Sequence, residues 1–467
     1  MPTRIERLVV LMLENRSFDH LLGFLKRENP IINGLTGEES NPAAVDNRPD
    51  VKVSDAAGDV RDLDPDPGHD FNDVTRQIFG SLDTSQPPDM SGFVRDYASV
   101  SKDPVHGENI MRCFSPERLP VLATLARQYG VSDRWFSSVP GSTIPNRMFA
   151  HGASSAGSVT QDAVVAPFLL KTIFESFGPN TIHTYKIYTS GASILLANKY
   201  LVQHQGKFAD FSQFEADALH GNLPAYTFIE PRYDDDDAGN YANSQHPDFP
   251  VSRGEQLIAN VYNILTKSQK WKSTLFLIIY DEHGGIYDHV VPPTVTCKDE
   301  NKHLPVPPSG PPFDFDFTRL GVRVPAVFVS PCIRPGTVIN DQDYEHSSVV
   351  ATVRKLFCPD TSPLTWREAQ AATFDHVLTL EGNDVRTDIV ELPDVIISPG
   401  IVDIDAGAER RSPTDLSVLM AKTMHYSLQR RGVEPPGDLD GLETASQVAT
   451  YLRDANERSL NPGGGHR

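Results

Sequence analysis

STLFLIIYDEHGGIYDH, residues 273–289, is the stretch on which the reading of this chain turns. From Ser273 to Tyr280 it is apolar without alternation. That is the pattern of a strand buried on both faces of a parallel sheet, where neither face meets water. The run stops at once on Asp281-Glu282. In open α/β sheets, ligands gather at the carboxyl ends of strands. Asp281, Glu282, His283, Asp288 and His289 therefore put candidate ligands and acid–base groups where a ligand would sit. Gly284-Gly285 allow a tight turn and a close approach of backbone. Paired carboxylates on a strand end are costly unless neutralised, and a cation neutralises them. The plainer alternative is a polar turn that caps the strand.

The same pattern recurs near the start of the chain. Leu8 to Leu13 is continuously apolar and ends on Glu14-Asn15, a carboxylate beside an amide oxygen. Two hard oxygen donors suit a cation, although Asn15 would serve equally as the cap of a following helix. That helix is expected from Ser17 to Lys26, with Phe18, Leu21, Leu22 and Phe24 on its apolar face. Further strands are expected at Thr181 to Tyr188, Ala225 to Ile229 and Val324 to Ser330, with helices over 116–129 and 254–267. Strands alternating with helices point to an α/β fold whose parallel or mixed sheet is covered on both faces.

Residues 27–110 read as irregular, and so long a stretch within a compact domain is a functional loop or lid. The Pro-rich residues 291–323 read as a flap, and 380–412 carry no clear pattern. Residues 413–431 and 442–458 have amphipathic helical spacing, and the tail NPGGGHR reads as disordered. The expected organisation is one domain over 1–380, with insertions at 27–110 and 291–323. A mostly helical extension, 381–467, packs on its core.

The 467 residues are 39% hydrophobic and 22% charged, the balance of a soluble globular protein. A net charge of −20 argues against non-specific nucleic-acid binding and against simple adhesion to anionic lipid. It leaves anionic substrates open, because a metal ion reverses the sign locally. Cys113, Cys297, Cys332 and Cys358 are far apart without a CxxC pair, so buried thiols are expected rather than a disulfide framework or a zinc site. The apolar N-terminal run lacks the cleavage site of a secretory leader. No run approaches the ~20 residues that span a bilayer. The expected location is cytoplasmic or peripheral to a membrane, with transient surface contact at most.

A third cluster is VPGSTIPNR, Val139 to Arg147. Ser142 and Thr143 are hydroxyls in a constrained loop before a helix expected from Asn146. A helix N-terminus beside an arginine suits phosphate, and a hydroxyl beside a metal can become a nucleophile. Simple capping by Ser142, Thr143 or Asn146 explains the segment as well. His69, His246 and His346 lie in loops, where each fits acid–base, metal or purely structural roles. The run Asp234 to Asp237 reads as a solvated loop.

Taken together, ENRSFDH at 14–20, STIPNR at 142–147, DEHGGIYDH at 281–289 and EHSS at 345–348 follow one order. In that order they resemble the phosphoesterase family of bacterial phosphatidylcholine-hydrolysing phospholipases C, plant non-specific phospholipases C and a bacterial acid phosphatase. INGLTGEESNP and the DPGH element are most similar to the plant type. The likeness covers about residues 4 to 360. It implies an alkaline-phosphatase-like α/β/α sandwich with a mostly parallel central sheet and long functional loops. It further implies a divalent metal held by Glu14, Asn15, Thr143, Asp281 and Glu282, its identity open among Ca, Mg, Mn and Zn.

By the same resemblance Thr143 is the nucleophile, which the metal activates, and a phosphothreonine intermediate forms. His246 protonates the leaving alcohol and His69 lies near the phosphoryl group. Arg147 stabilises the charged oxygens, and His289 and His346 are weaker carry-overs. The implied reaction is phospholipase C-type hydrolysis of glycerophospholipids to diacylglycerol and a phosphorylated head group. An acid phosphatase or phosphodiesterase for soluble esters is the alternative, and a non-catalytic binding protein the third reading.

Overall fold

β1 (Arg7–Leu13) is the axis of the fold. It lies parallel to β8 (Thr274–Tyr280), with Leu13 opposite Tyr280. On its other edge it lies parallel to β7 (Tyr226–Glu230), with Leu11 opposite Ile229. Every residue of β8, and every residue of β1 after Arg7, is buried. This explains why neither sequence alternates: both faces of these strands are covered. The computed structural model describes residues 5–58, 63–160, 168–178, 181–235, 240–247, 249–296, 315–397 and 413–460.

Among the described residues the main sheet has eight strands in the order β10-β4-β9-β8-β1-β7-β5-β6. The remaining members are β4 (Gly130–Ser132), β5 (Tyr185–Thr189), β6 (Phe208–Asp210), β9 (Ala326–Val329) and β10 (Thr337–Ile339). Among these described strands only β9 runs against its neighbours, pairing antiparallel to both β8 and β4. The expected α/β architecture with a mostly parallel central sheet is what the chain forms. The three-residue strands β4, β6 and β10 were not legible, because so few residues carry no periodicity.

Helix α1 (Phe18–Leu22) follows β1 and continues as a 3₁₀ segment, Gly23–Arg27. Two helices break up the stretch expected to be irregular: α2 (Phe71–Phe79) and α3 (Phe93–Ser101). Each has only nine residues. The α2 start depends on a capping box between Asp70 and Asp73, in which each side chain accepts from the other residue's backbone N–H. Val74, Ile78, Phe93, Val94 and Tyr97 join Phe24, Leu35, Ile286 and Tyr287 in a second apolar core. The insertion is thus anchored on the turn that follows β8. A two-stranded ribbon, β2 (Ser40–Asn41) with β3 (Val51–Lys52), completes it.

Helix α4 (Pro120–Gln128) packs on the long α7 (Val251–Lys267), and α5 (Thr143–Gly152) on α8 (Ser347–Phe357). Two shorter helices are α6 (Ser212–Leu219), between α5 and α7 in sequence, and α9 (Trp366–Gln370), after α8. The C-terminal α10 (Asp415–Arg430) and α11 (Ala445–Leu460) pack on each other. Leu416, Leu419, Met420, Met424 and Leu428 bury the α10 face in the main core, against the turn Ile194–Ala197. Cys113, Cys332 and Cys358 are buried free thiols. Cys297, most of the Pro-rich flap, residues 398–412 and the tail from 461 lie outside the described residues. No described helix is long and apolar enough to cross a membrane.

Candidate active site

The register of β1 on β8 sets Glu14 beside Asp281, one step beyond the pair Leu13 and Tyr280. Both carboxylates are fully buried. The chain then turns sharply. Asn15 adopts φ +52°, and its N–H donates to Asp281 Oδ1 at 3.0 Å. That same oxygen accepts from the N–H of Glu282 at 2.8 Å. Glycine is required twice in the facing turn. A Cβ on Gly284 would lie 2.3 Å from the Asn15 carbonyl oxygen, and one on Gly285 2.3 Å from that of Gly68. Both also have positive φ, which a Cβ disfavours. The turn therefore wedges between the ends of β1 and the loop that carries His69. Glu282 Oε2 accepts from Gly284 N–H at 2.7 Å.

Thr143 is brought in by α5. Pro145 occupies the first turn of that helix, where its missing N–H costs nothing. The helix therefore begins at Thr143 rather than at Asn146. Asn146 knits the preceding loop: Nδ2 donates to the carbonyls of Val139, Gly141 and Ser142, and Oδ1 accepts from Val139 N–H. Thr143 Oγ1 lies 3.5 Å from Asn15 Oδ1. The positive end of the α5 dipole favours an anion at this position. Ser142 is the cap residue, but its hydroxyl makes no cap bond, and its buried Oγ has no hydrogen-bond partner among the described residues.

Two histidines flank this group. Asp66 Oδ2 lies 3.7 Å from His69 Nδ1 and 3.8 Å from His246 Nε2, and the two rings are 6.4 Å apart. Asp66 stands inside the DPGH element, yet nothing in the sequence marked it as the residue between both histidines. His246 follows Gln245, which is held at φ +70°. The Gln245 carbonyl accepts from Arg16 Nε at 2.7 Å, and its side chain from Tyr280 Oη. Burial works against a charged His69, but Glu282 and Asp66 outweigh it and push the imidazole up to about 9.

Arg147 is fully enclosed. Nε donates to Asp281 Oδ2 at 3.0 Å, Nη1 to Tyr233 Oη at 2.9 Å and Nη2 to the Leu13 carbonyl at 3.3 Å, with Glu14 Oε1 3.6 Å from Nη2. Tyr233 in turn donates to Glu230 Oε1 at the end of β7. Tyr233 and Glu230 had no signal in the sequence beyond a strand end. His346 stands behind Asp281. Burial lowers it to about 4, so it is neutral, with Nε2–H donating to the Asp281 carbonyl and Nδ1 accepting from Trp135 Nε1. Asp235, expected in a solvated loop, is instead buried and accepts from Ala242 N–H and Arg253. A buried arginine demands a paired carboxylate. Residues 236–239 lie outside the described residues.

His289 is elsewhere. Nδ1 sits on Asp19 Oδ2 at 2.5 Å and Nε2 on Asn33 Oδ1 at 3.1 Å. Asp19, Asp288 and His289 have the spacing of a metal site, with ligand atoms within 4.8 Å of one another. That space is already claimed by a cation, because the buried Arg323 donates to Asp19 and Asp288 at 2.9 Å each.

The group at Glu14 is different. Glu14 Oε1 and Glu282 Oε1 are buried without a hydrogen-bond partner among the described residues. Burial pushes Glu14 up to about 8 against the pull of Arg147, and raises Asp281 likewise. Burial would raise Glu282 too, but His69 and His283 hold it below the usual carboxylate range. Three buried carboxylates, an amide oxygen and a hydroxyl form the donor set of a hard divalent cation. Such an ion would satisfy the orphaned oxygens and favour the charged forms of Glu14 and Asp281. These residues fit a metal.

Residues 5–358 match the Phosphoesterase family. Non-specific phospholipase C1 of Arabidopsis thaliana is 42% identical over 84% of this chain and 74% of its own length. Phospholipase C B of Mycobacterium tuberculosis H37Rv is 27% identical over 79% of this chain and 76% of its own length. A solved protein of the alkaline phosphatase superfamily from Vibrio parahaemolyticus aligns with 76% of this chain and 67% of its own. Its identity is 10% and its TM-score 0.36, a likeness too loose to place any residue.

Proposed function

This chain belongs to the phosphoesterase family and is a phosphoric ester hydrolase, and we propose that it is a phospholipase C that cleaves glycerophospholipids through Thr143. One observation carries the residue assignment: a buried threonine hydroxyl at a helix start lies 3.5 Å from Oδ1 of Asn15, whose chain neighbour Glu14 has a buried Oε1 without a hydrogen-bond partner among the described residues. The lipid substrate is supported by the names of the relatives. Glu14, Asn15, Asp281, Glu282 and the Thr143 hydroxyl are the groups that would hold the metal. The ion supplies a lowered pKa for a bound hydroxyl and positive charge for the phosphoryl oxygens.

The Thr143 hydroxyl proton passes to solvent, Oγ attacks phosphorus as the alkoxide, and the bond from phosphorus to the glycerol oxygen breaks. His246 gives its proton to that oxygen, so diacylglycerol leaves as a neutral alcohol. Phosphothreonine carrying the head group remains. His246, now neutral, takes a proton from water as the water attacks phosphorus. The phosphorylated head group departs, and the threonine alkoxide takes back a proton from solvent, which restores the hydroxyl. Asp66 orients His246 and His69 from one carboxylate, and the start of α5 favours the anion. Arg147 holds Asp281 and Glu14 in place, with Nε, Nη1 and Nη2 each already bonded once within the protein. Positioning and electrostatics of this kind account for most phosphoryl-transfer catalysis.

Thr143→Ala tests the reading, with phosphatidylcholine and p-nitrophenyl phosphate as paired substrates. The expected loss is about 10⁵–10⁶-fold in kcat, the scale for removing a nucleophile, with an unchanged Tm. Retained turnover would overturn the nucleophile, and turnover of the soluble monoester alone would overturn the lipid substrate.

A further inference from the structure

Gln77 is 1% exposed on the inner side of α2, within the insertion, and its side chain joins three segments of the chain. Nε2 donates to the Gly68 carbonyl at 2.7 Å and to Asp96 Oδ2 at 2.8 Å. Oε1 faces His283 Nε2 at 2.8 Å, across 206 positions of sequence. The amide orientation is forced. A carbonyl and a carboxylate only accept, so the amide nitrogen must face them and the oxygen must face His283. His283 Nε2 therefore carries a proton, and the ring is a strut between Gln77 and the turn that bears Glu282.

The Gly68 carbonyl is clamped from two sides. Gln77 Nε2 holds it on one, and Gly285 packs so closely on the other that a Cβ would come within 2.3 Å. The next residue is His69. Its Nδ1 faces the Pro67 carbonyl at 2.8 Å, and a carbonyl only accepts, so Nδ1 carries the proton and Nε2 is the nitrogen left to exchange one. One buried amide thus ties the loop of His69 to the turn of Glu282.

We propose that Gln77 is a positioning residue for the hydrolysis, setting His69 against Glu282 through the Gly68 carbonyl and His283. This rests on the reading that His69 serves the reaction. Gln77 touches neither substrate nor metal and acts only through those two neighbours. A displacement near 1 Å from remote residues costs about 100-fold in rate, and the loss falls on kcat because the misplaced group acts after binding.

A double-mutant cycle on the full-length protein tests this, using Gln77→Met, His69→Ala and the double variant with phosphatidylcholine in mixed micelles. Gln77→Met keeps the length of the side chain and removes all three bonds. It is expected to lower kcat by about 30–100-fold with KM within about 2-fold. His69→Ala is expected to lower kcat by about 10²–10⁴-fold. The double variant should then match His69→Ala within about 3-fold, because residues acting as one unit are not additive. Losses that multiply, or a raised KM with kcat intact, overturn the role of Gln77 and leave the reading of His69 standing. A silent His69→Ala overturns both. Where Gln77→Met fails to fold, judged by circular dichroism and Tm, the cycle is run with Gln77→Glu. That variant keeps the acceptor for His283 and loses the donors to Gly68 and Asp96, and the same non-additivity is required of it.

Discussion

Two buried acid clusters come from the same two segments of this chain, and they have opposite fates. Asp19 and Asp288 lie five and six residues beyond Glu14 and Glu282. In the outer cluster every carboxylate oxygen is engaged. Asp19 accepts from Arg323 and from both the N–H and the ring of His289, while Asp288 accepts from Arg323, Val290 N–H and Asp19 N–H. In the inner cluster Glu14 Oε1 and Glu282 Oε1 have no hydrogen-bond partner among the described residues. Ligand spacing alone would choose the outer cluster, which has it, whereas hydrogen-bond satisfaction favours the inner one as the ion site. A saturated cluster is structural. An unsatisfied one, buried at equal cost, fits an ion.

The largest effect that separates the two is on stability. Arg323→Met leaves Asp19 and Asp288 buried without their cation and should cost about 3–5 kcal/mol, read from urea unfolding. Affinity for a divalent metal, measured by calorimetry on the chelated protein, should change little. A collapse of metal affinity without loss of stability would reverse the assignment of the clusters.

Next comes metal binding itself. A divalent ion at 100 times its Kd should stabilise the protein by about 2.7 kcal/mol, seen as a higher Tm. Glu282→Gln should remove most of that gain, while Asp19→Asn should keep it and lower the Tm of the metal-free protein. Equal loss of the gain in both variants would mean that the inner oxygens are not the ligands.

Tyr233→Phe removes the bond that steadies Arg147 from the side away from the carboxylates. Support of this kind is worth about 10–100-fold in metal affinity. An unaltered Kd would show that Arg147 needs no such brace.

The smallest effect is a pH dependence in the outer cluster. Burial opposes a charged His289, but its bond to Asp19 outweighs burial and raises the imidazole above its usual value. A raised pKa in the folded protein gives stability that is fully present below the unfolded value of about 6.5 and is lost as pH rises through the folded value. The Tm difference between the protein and its His289→Asn variant should therefore shrink as pH rises from 6 towards 9. A difference that stays constant over that range would remove His289 from the linkage.

The sequence alone was enough to locate the strand ends that matter. Two apolar runs without alternation, Leu8 to Leu13 and Ser273 to Tyr280, stop on acids, and burial and termination are local properties written into consecutive residues. Thr143 stood in a legible motif too, although Pro145 disguised where its helix begins. What tertiary structure alone decided is which buried carboxylate oxygens are already engaged and which keep no hydrogen-bond partner among the described residues. Arg323 reaches Asp19 across 304 positions, Arg147 reaches Asp281 across 134, and Gln77 reaches His283 across 206. A residue pattern records which side of an element is buried. It cannot record what close packing brings against that side from elsewhere in the chain, and here that neighbour separates a structural ion pair from a candidate metal site.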